Sequence, residues 1–245
     1  DMLFAAASYI EFVKEHASKL SDLDLGILLS GDEELGGFNS ILPILEDGYT
    51  ADVCILPDAG LGLGTLNVAA KGMYNCTVQI NGASHHGSRP WEGDGAAIKL
   101  AHFLVEAEDI FDSSERDNST MTVAKIVAGS ADNQGPKEAT AILDIRYSDK
   151  TDLKRIKTEL SKLLEKYNGE VTLLIEGDDY QLDTSNSYVN AFIELYQQQF
   201  GAPIKQIKAH GSSDARFFNT KNIPVLMLRP EGSGAHGDAE WVSKD

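Results

Sequence analysis

Between residues 71 and 183 the spacing of the apolar residues switches between a strand period and a helix period, and the order of these switches limits the folds that the chain can adopt. A period of two predicts strands in MYNCTVQING, MTVAKIVAG, EATAILDIRYS and EVTLLIEG. A period of 3.6 predicts helices over 93–110 and 152–167. The resulting order, strand-helix-strand-strand-helix-strand, is that of a ferredoxin-like α+β sandwich. Because such a sandwich can bury its own core, we expect residues 71–183 to form an inserted domain.

The segments on either side of this domain predict a second, α/β layer. Before it, the pattern gives a helix over 2–16, an apolar strand over 25–30, a helix over 39–45 and a strand over 51–56. After it come a helix over 187–200 and strands over 204–208 and 224–228. We therefore expect an α/β fold in which residues 1–70 and 184–245 share a central mixed sheet, interrupted by the inserted domain.

Composition narrows the range of partners. The formal net charge is -17 at pH 7, so most of the surface should repel nucleic acid. No apolar run is long enough to cross a bilayer, and we expect no membrane association. The two cysteines, Cys54 and Cys76, lack CxxC spacing, which favours core thiols and a cytoplasmic location.

Carboxylates follow both strands of the first segment. Asp32, Glu33 and Glu34 come after the strand over 25–30, and Asp58 comes after the next strand. Carboxyl ends of strands meet at one edge of an open α/β sheet, where ligands bind. Asp1 before a helix and His236 in GSGAHGDAEW complete a set of oxygen and imidazole donors suited to zinc, cobalt or manganese. In this interpretation Glu33 remains a general base, while Asp32 caps the turn.

A simpler explanation stays open at this point. GDEELGG is also typical of a solvated turn that opens a helix, because acidic residues are favoured in a first helical turn. Composition and spacing do not decide between the two interpretations.

Several motifs, taken in order, resemble one family. They are SGDEELGG, LPDAG, GASHHGSRPWEG, the Asn-x-x-Pro of Asn133–Pro136, LDIRYS, GSSDARFF and GSGAHGDAEW. Together they resemble the M20 family of dinuclear metallopeptidases and deacylases, which includes dipeptidases, aminoacylase and succinyl-diaminopimelate desuccinylase. The resemblance implies a catalytic domain with two divalent metal ions, expected to be zinc with cobalt or manganese as alternatives. It also implies a lid domain that forms a homodimer.

The resemblance assigns roles to individual residues. It implies that Glu33 is the general base and that His86, four positions after Gly82 in the lid motif, stabilises the oxyanion. The implied metal ligands are Asp1, Glu34, Asp58 and His236. The implied substrate-binding residues are Asn133, Arg146, Gly211, Ser212, Ser213, Asp214 and Arg216.

The sequence departs from the family in one important respect. The His-x-Asp motif that supplies a further metal ligand is absent before Asp1, so we expect the chain to be truncated there. The favoured function is hydrolysis of an amide bond in a small peptide. An N-acyl-amino-acid deacylase, of the acetylornithine deacetylase or succinyl-diaminopimelate desuccinylase type, is the alternative. A non-catalytic homologue that serves as a binding or dimerisation module is the second.

Overall fold

A computed structural model of the chain describes residues 3–234 and 237–244. In these ranges the α-helices are α1 (Leu3–Glu15), α2 (Ile41–Glu46), α3 (Ala96–Glu108), α4 (Lys150–Tyr167), α5 (Ser187–Phe200) and α6 (Ala215–Asn219). The strands are β1 (Cys54–Leu56), β2 (Thr65–Ala70), β3 (Gly72–Asn81), β4 (His85–His86), β5 (Thr120–Ala128), β6 (Gln134–Gly135), β7 (Glu138–Tyr147), β8 (Gly169–Gly177), β9 (Tyr180–Gln181), β10 (Lys205–Ala209), β11 (Val225–Met227), β12 (Gly232–Ser233) and β13 (Trp241–Val242). Short 3-10 helices span Leu20–Asp22, Glu33–Leu35 and Pro90–Glu92. Over the described ranges, no helix has the length and apolar character needed to cross a membrane.

The chain divides into two compact units. The first unit contains the chain up to Ala69, the segment Tyr180–Ala209 and the chain from Ser213 onwards. The second unit contains Ala70–Asp179 and the short segment His210–Ser212. The acidic motifs therefore lie in the first unit, and the histidine pair of residues 85 and 86 lies in the second.

The second unit is a four-stranded antiparallel sheet with two helices. Its strands run in the order β5-β7-β3-β8, as a ferredoxin-like arrangement requires. Alternate residues of β3 and β7 are buried, among them Cys76, Val78, Leu143 and Ile145. They share one core with the apolar faces of α3 and α4, so the period-two and period-3.6 patterns meet in a single hydrophobic layer.

The first unit is built on a mixed sheet, which confirms the predicted fold class. Its main strand order is β1-β11-β2-β10, with β9 also paired to β2. Strands β1 and β11 are parallel, whereas β11 and β2 are antiparallel. Strand β2 was missed in the sequence because TLNVAA does not alternate, and its buried positions include the polar residues Thr65 and Asn67.

The predicted strand over 25–30 is wrong. In the structure this segment pairs with no strand among the described residues, and its apolar side chains are exposed, 50% for Leu25 and 65% for Leu29. An apolar run predicts burial only when a neighbouring strand supplies both hydrogen bonds and a covering surface. The segment instead has no regular secondary structure and leads to the GDEELGG segment that begins at Gly31.

Both cysteines are free thiols, as predicted. Cys76 is fully buried in the core of the second unit, and Cys54 is partly buried on β1. Burial raises the pKa of each thiol to about 11, so both are protonated and act as small apolar side chains.

Candidate active site

Residues 31–38, here called the acidic turn, form a compact loop around the 3-10 helix Glu33–Leu35. The backbone carbonyl of Asp32 accepts hydrogen bonds from the amides of Leu35 (3.0 Å) and Gly37 (2.9 Å). Its side chain accepts from the backbone N–H of Asn39 at 2.8 Å and from the Ser40 hydroxyl. The Asp32 side chain makes no capping hydrogen bond to the 3-10 helix but joins the start of the turn to the residues that follow it, and the Ser40 hydrogen bond is the main reason that its pKa is lowered.

Glu33 stands in a strongly acidic environment. Its pKa is raised to about 7, first because the carboxyl is partly buried and then because the charges of Asp58, Asp214 and Glu34 repel its own. The Arg216 guanidinium opposes this effect only in part. A carboxyl group that titrates near neutrality can both accept and return a proton at physiological pH, which is the property of a general base.

Asp58 is fixed at the carboxyl edge of the mixed sheet. The Ser213 hydroxyl donates to Asp58 Oδ2 at 2.9 Å. Burial raises the pKa of Asp58, with the Ser213 hydrogen bond and the Arg229 charge acting in the opposite direction. Arg229 was not singled out in the sequence. Leu56 at the end of β1 pairs in parallel with Met227 at the end of β11. Asp58 and Arg229 each lie two residues beyond these strand ends, so both reach the same edge of the sheet. A prediction of this strand pairing would have pointed to Arg229.

The GSSDAR motif is divided between the two units. Gly211 and Ser212 belong to the second unit, whereas Ser213, Asp214 and Arg216 belong to the first. Ser213 is buried and holds Asp58, and both Asp214 and Arg216 lie in the interior next to the acidic turn. The structure thus joins this motif to GDEELGG and LPDAG within the first unit.

The histidine pair lies on β4 of the second unit, where His85 pairs with Gly135 and His86 with Gln134. The His85 ring packs so closely on β6 that a Cβ at Gly135 would come within 2.2 Å of its Cε1 atom, which makes glycine necessary there. The His86 side chain is exposed, and its Nδ1 atom accepts the backbone N–H of Ser88 at 3.2 Å and faces the Ser88 hydroxyl at 2.9 Å. Because a backbone N–H only donates, Nδ1 is unprotonated in the neutral ring and Nε2 carries the hydrogen.

Asn133 and Arg146 also lie in the second unit. The carbonyl of Asn133 accepts the backbone N–H of Gly87 at 2.6 Å, which fixes the loop directly after His86. Arg146 forms two parallel hydrogen bonds with Asp144 on the same strand, at 2.7 and 3.0 Å. About one third of each side chain of this pair is exposed, so the guanidinium is held in one orientation while still accessible from solvent.

The predicted metal site is only partly within the described residues. Asp1 and His236 lie outside them, and residues 3–234 and 237–244 contain no group of three His, Cys, Asp or Glu side chains arranged to hold a metal ion. The donor chemistry nevertheless fits a cation: the charge of Glu34 raises the pKa of both Glu33 and Asp58. A divalent ion beside these carboxylates would reverse that repulsion.

Comparison with known proteins gives two kinds of sequence match. Residues 68–172 match the M20 family model described as the peptidase dimerisation domain. The chain is 26% identical over 260 residues to succinyl-diaminopimelate desuccinylase of Xanthomonas euvesicatoria pv. vesicatoria, covering 99% of this chain and 68% of the relative. It is 25% identical over 261 residues to the desuccinylase of Sulfurovum sp., covering 99% of this chain and 69% of that protein.

Solved structures share the fold. A tripeptidase from Staphylococcus aureus superposes with a TM-score of 0.70 at 23% identity, over 85% of this chain. Aminopeptidase PepT from Bacillus cereus superposes with a TM-score of 0.68 at 17% identity, over 84% of this chain. The chain spans little more than half of these two proteins, 56% and 57% of their lengths. The dimerisation-domain match, the desuccinylase relatives and the shared fold agree, and together they support the resemblance to the M20 family.

Proposed function

We propose that the protein hydrolyses an amide bond in a small peptide, with Glu33 as the general base and with divalent metal ions bound beside it. The observation that carries this proposal is the convergence of Glu33, Glu34, Asp58 and Asp214, which come from three separate motifs, on one region of the first unit. A fold maintains such repulsion only at a cost, and strongly perturbed carboxyl groups are typical of functional sites.

Glu34 and Asp58, with Asp1 and His236, would hold the metal ions. When bound, divalent ions supply Lewis-acid polarisation of a carbonyl oxygen and lower the pKa of a coordinated water molecule. The resemblance named in the sequence analysis suggests two ions, zinc before cobalt or manganese.

In this proposal the remaining residues position groups and move protons. Glu33 accepts the proton of the attacking water and returns it to the leaving amine. His86 donates its Nε2 hydrogen to the oxyanion, because the Ser88 amide occupies Nδ1. Asn133 orders the loop after His86, while Arg146, oriented by Asp144, offers its guanidinium to a substrate carboxylate. Ser213 holds Asp58 in place.

A deacylase acting on N-acyl amino acids is the second candidate. It is favoured by the desuccinylase relatives, which match 99% of this chain, whereas the tripeptidase and aminopeptidase share its fold at lower identity. Both reactions cleave an amide bond with the same residues, so the difference lies in what surrounds the carbonyl group.

We also propose a homodimer formed through the second unit. The dimerisation-domain match covers most of that unit. Strands β5 and β8 are the outer strands of its sheet, and they expose Ile126, Val127, Leu173 and Leu174. Outer strands with exposed apolar side chains are suited to pairing with a second copy. Sedimentation equilibrium should give twice the mass of one chain.

The function is tested by kinetics on the full-length protein supplied with zinc, cobalt or manganese. The substrates are dipeptides, tripeptides, N-acetyl amino acids and N-succinyl amino acids. We expect turnover of peptides, and we expect Glu33→Gln to lower kcat by about 10²–10⁴-fold. The matched control is Glu46→Gln, an exposed glutamate at the end of α2, which should leave kcat unchanged. Turnover of N-acyl substrates alone would select the deacylase, and no turnover of any substrate would favour the non-catalytic module.

A further inference from the structure

Asp214 and Arg216 form an ion pair that is almost completely shielded from solvent. Arg216 Nη2 lies 3.2 Å from Asp214 Oδ1. The Oδ2 atom of Asp214 is buried without a hydrogen-bond partner among the described residues. Groups buried this deeply within their own unit have no free surface on which to receive a substrate.

The pair is directed at the backbone of the acidic turn. Arg216 Nη2 donates to the carbonyl of Gly36 at 2.6 Å, and Nη1 donates to the carbonyl of Ser213 at 2.9 Å. Gly37 passes so close to Asp214 that a Cβ there would lie 2.6 Å from both carboxylate oxygens. One side chain therefore joins the acidic turn to the loop that carries Ser213.

Two aromatic rings pack on the Arg216 guanidinium beside the acidic turn. The Arg216 guanidinium lies over the ring of Phe217 at 4.5 Å and over that of Phe38, the last residue of the acidic turn, at 5.5 Å. Phe38 and Phe217 meet edge to face with 5.3 Å between ring centroids. These contacts keep water away from the guanidinium and limit its rotation.

The backbone of Glu33 is hydrogen-bonded to Gly36, the residue whose carbonyl Arg216 binds. The amide of Gly36 donates to the carbonyl of Glu33 at 2.8 Å, while the carbonyl of Gly36 accepts from Arg216. The neighbouring Ser213 holds Asp58. The segment 213–216 thus fixes the backbone beneath Glu33 and the carboxylate of Asp58 at the same time.

We propose that Asp214 and Arg216 are positioning residues, which hold the acidic turn so that the Glu33 side chain keeps its position relative to Asp58. In this proposal neither residue touches the substrate. The inference rests on the proposed function, because it assigns the pair to the placement of its general base. It also replaces the substrate-contact role that the family resemblance implies for both residues.

Arg216→Lys tests this in the full-length, metal-loaded enzyme, because lysine keeps the charge but has no fork to reach two carbonyls. We expect kcat to fall by about 10- to 100-fold, since a misplaced catalytic group loses rate at this scale, while KM changes by no more than about twofold. Loss of a substrate contact would instead raise KM with kcat preserved, and that result would overturn the proposal.

Hydrogen exchange supplies a readout that does not depend on activity. In Arg216→Lys the amides of Gly36 and Gly37 should exchange faster than in the parent protein, at conditions where urea unfolding shows the variant to be folded. The control is Arg155→Lys, an exposed arginine paired with Asp152 and bonded to the carbonyl of Ile110. Unchanged exchange in the acidic turn would overturn the positioning role even if the enzyme turns over no substrate tested.

If Arg216→Lys does not fold, Phe38→Leu loosens the same contact from the other side. We expect a smaller loss of kcat, again with KM unchanged, and faster exchange confined to the acidic turn. A Phe38→Leu enzyme with full kcat and unchanged exchange would contradict the proposal. Absence of activity in the parent protein, together with protected Gly36 and Gly37 amides that Phe38→Leu exposes, would reject the proposed function but retain the positioning pair.

Discussion

The protein contains two Asp-x-Arg pairs in very different surroundings. In the second unit Asp144 and Arg146 lie on strand β7, with 31% and 32% of their side chains exposed. In the first unit Asp214 and Arg216 stand at the start of α6, with 3% and 4% exposed. The residues and the spacing are the same, but one pair lies on a strand and the other at a helix start, and the two differ about tenfold in exposed fraction.

The difference teaches how burial changes what an ion pair does. The pair on β7 is partly exposed and solvated on one side, and solvent-screened pairs contribute only about 0–1 kcal/mol to stability. The buried pair has given up its water, and removing one partner of such a pair costs about 3–5 kcal/mol because the other charge is left uncompensated. An exposed arginine is available to a ligand, whereas a buried one orders the backbone around it.

The largest effect is expected from Arg216→Ala. The substitution removes the positive charge beside the buried Asp214 carboxylate and the hydrogen bonds to Gly36 and Ser213. The free energy of unfolding should therefore fall by about 3–5 kcal/mol. Urea unfolding followed by circular dichroism measures it. A loss below about 1 kcal/mol would mean that the two pairs are energetically alike, and the comparison would fail.

Gly37→Ala should come next. Its backbone has a φ of +68°, and a Cβ would meet both Asp214 oxygens, so we expect a loss of about 1–3 kcal/mol in unfolding free energy. Gly26→Ala is the control, because no atom lies within 4 Å of its Cβ position and its φ is not in the left-handed region. Equal effects of the two substitutions would show that the close approach to Asp214 is unimportant.

The pH dependence of the unfolding free energy tests the acidic surroundings of Glu33 in the first unit. Since the pKa of Glu33 is raised to about 7, the folded protein binds more protons than the unfolded chain between the ordinary glutamate pKa and about 7. The contribution of Glu33 to the stability of the metal-free protein should therefore be lost as pH rises through this window. Glu33→Gln should reduce that loss by on the order of 1 kcal/mol, because partial exposure screens the charges. If the unfolding free energy of the variant depends on pH in the same way as that of the parent protein, the raised pKa of Glu33 is contradicted.

The smallest change in stability is expected from Arg146→Ala. Because the pair with Asp144 is partly solvated, the unfolding free energy should change by no more than about 1 kcal/mol. If Arg146 contacts a substrate carboxylate as proposed, KM should rise in the same variant. Stability that falls as much as in Arg216→Ala would place both pairs in one structural class.

The sequence predicted the parts of the fold that rest on local periodicity. Strands β3 and β7 and helices α3 and α4 each bury one face, and the sequence predicted them together with the largely exposed outer strands β5 and β8. The segment over 25–30 misled because its apolar character is real, whereas its pairing with a neighbouring strand depends on the three-dimensional structure. Local composition carries no information on whether such a strand is present.

The candidate site was predictable in kind but not in its internal arrangement. Glu33 and Asp58 could be singled out because each follows an apolar run, and strand pairing could have added Arg229. The approach of Gly37 to Asp214 joins residues far apart in the chain, and the burial of Arg216 depends on Phe38 and Phe217 together. Neither leaves a periodic signal in the sequence.

Metal content tests the central claim, that the carboxylates of the acidic turn and Asp58 stay together because they hold cations beside a free Glu33. Elemental analysis of the full-length protein after reconstitution with zinc should give about two ions per chain. Glu34→Gln should clearly reduce that number, whereas Glu46→Gln should leave it unchanged. No bound metal, or the same content in Glu34→Gln, would contradict the account and leave the carboxylate cluster without its proposed purpose.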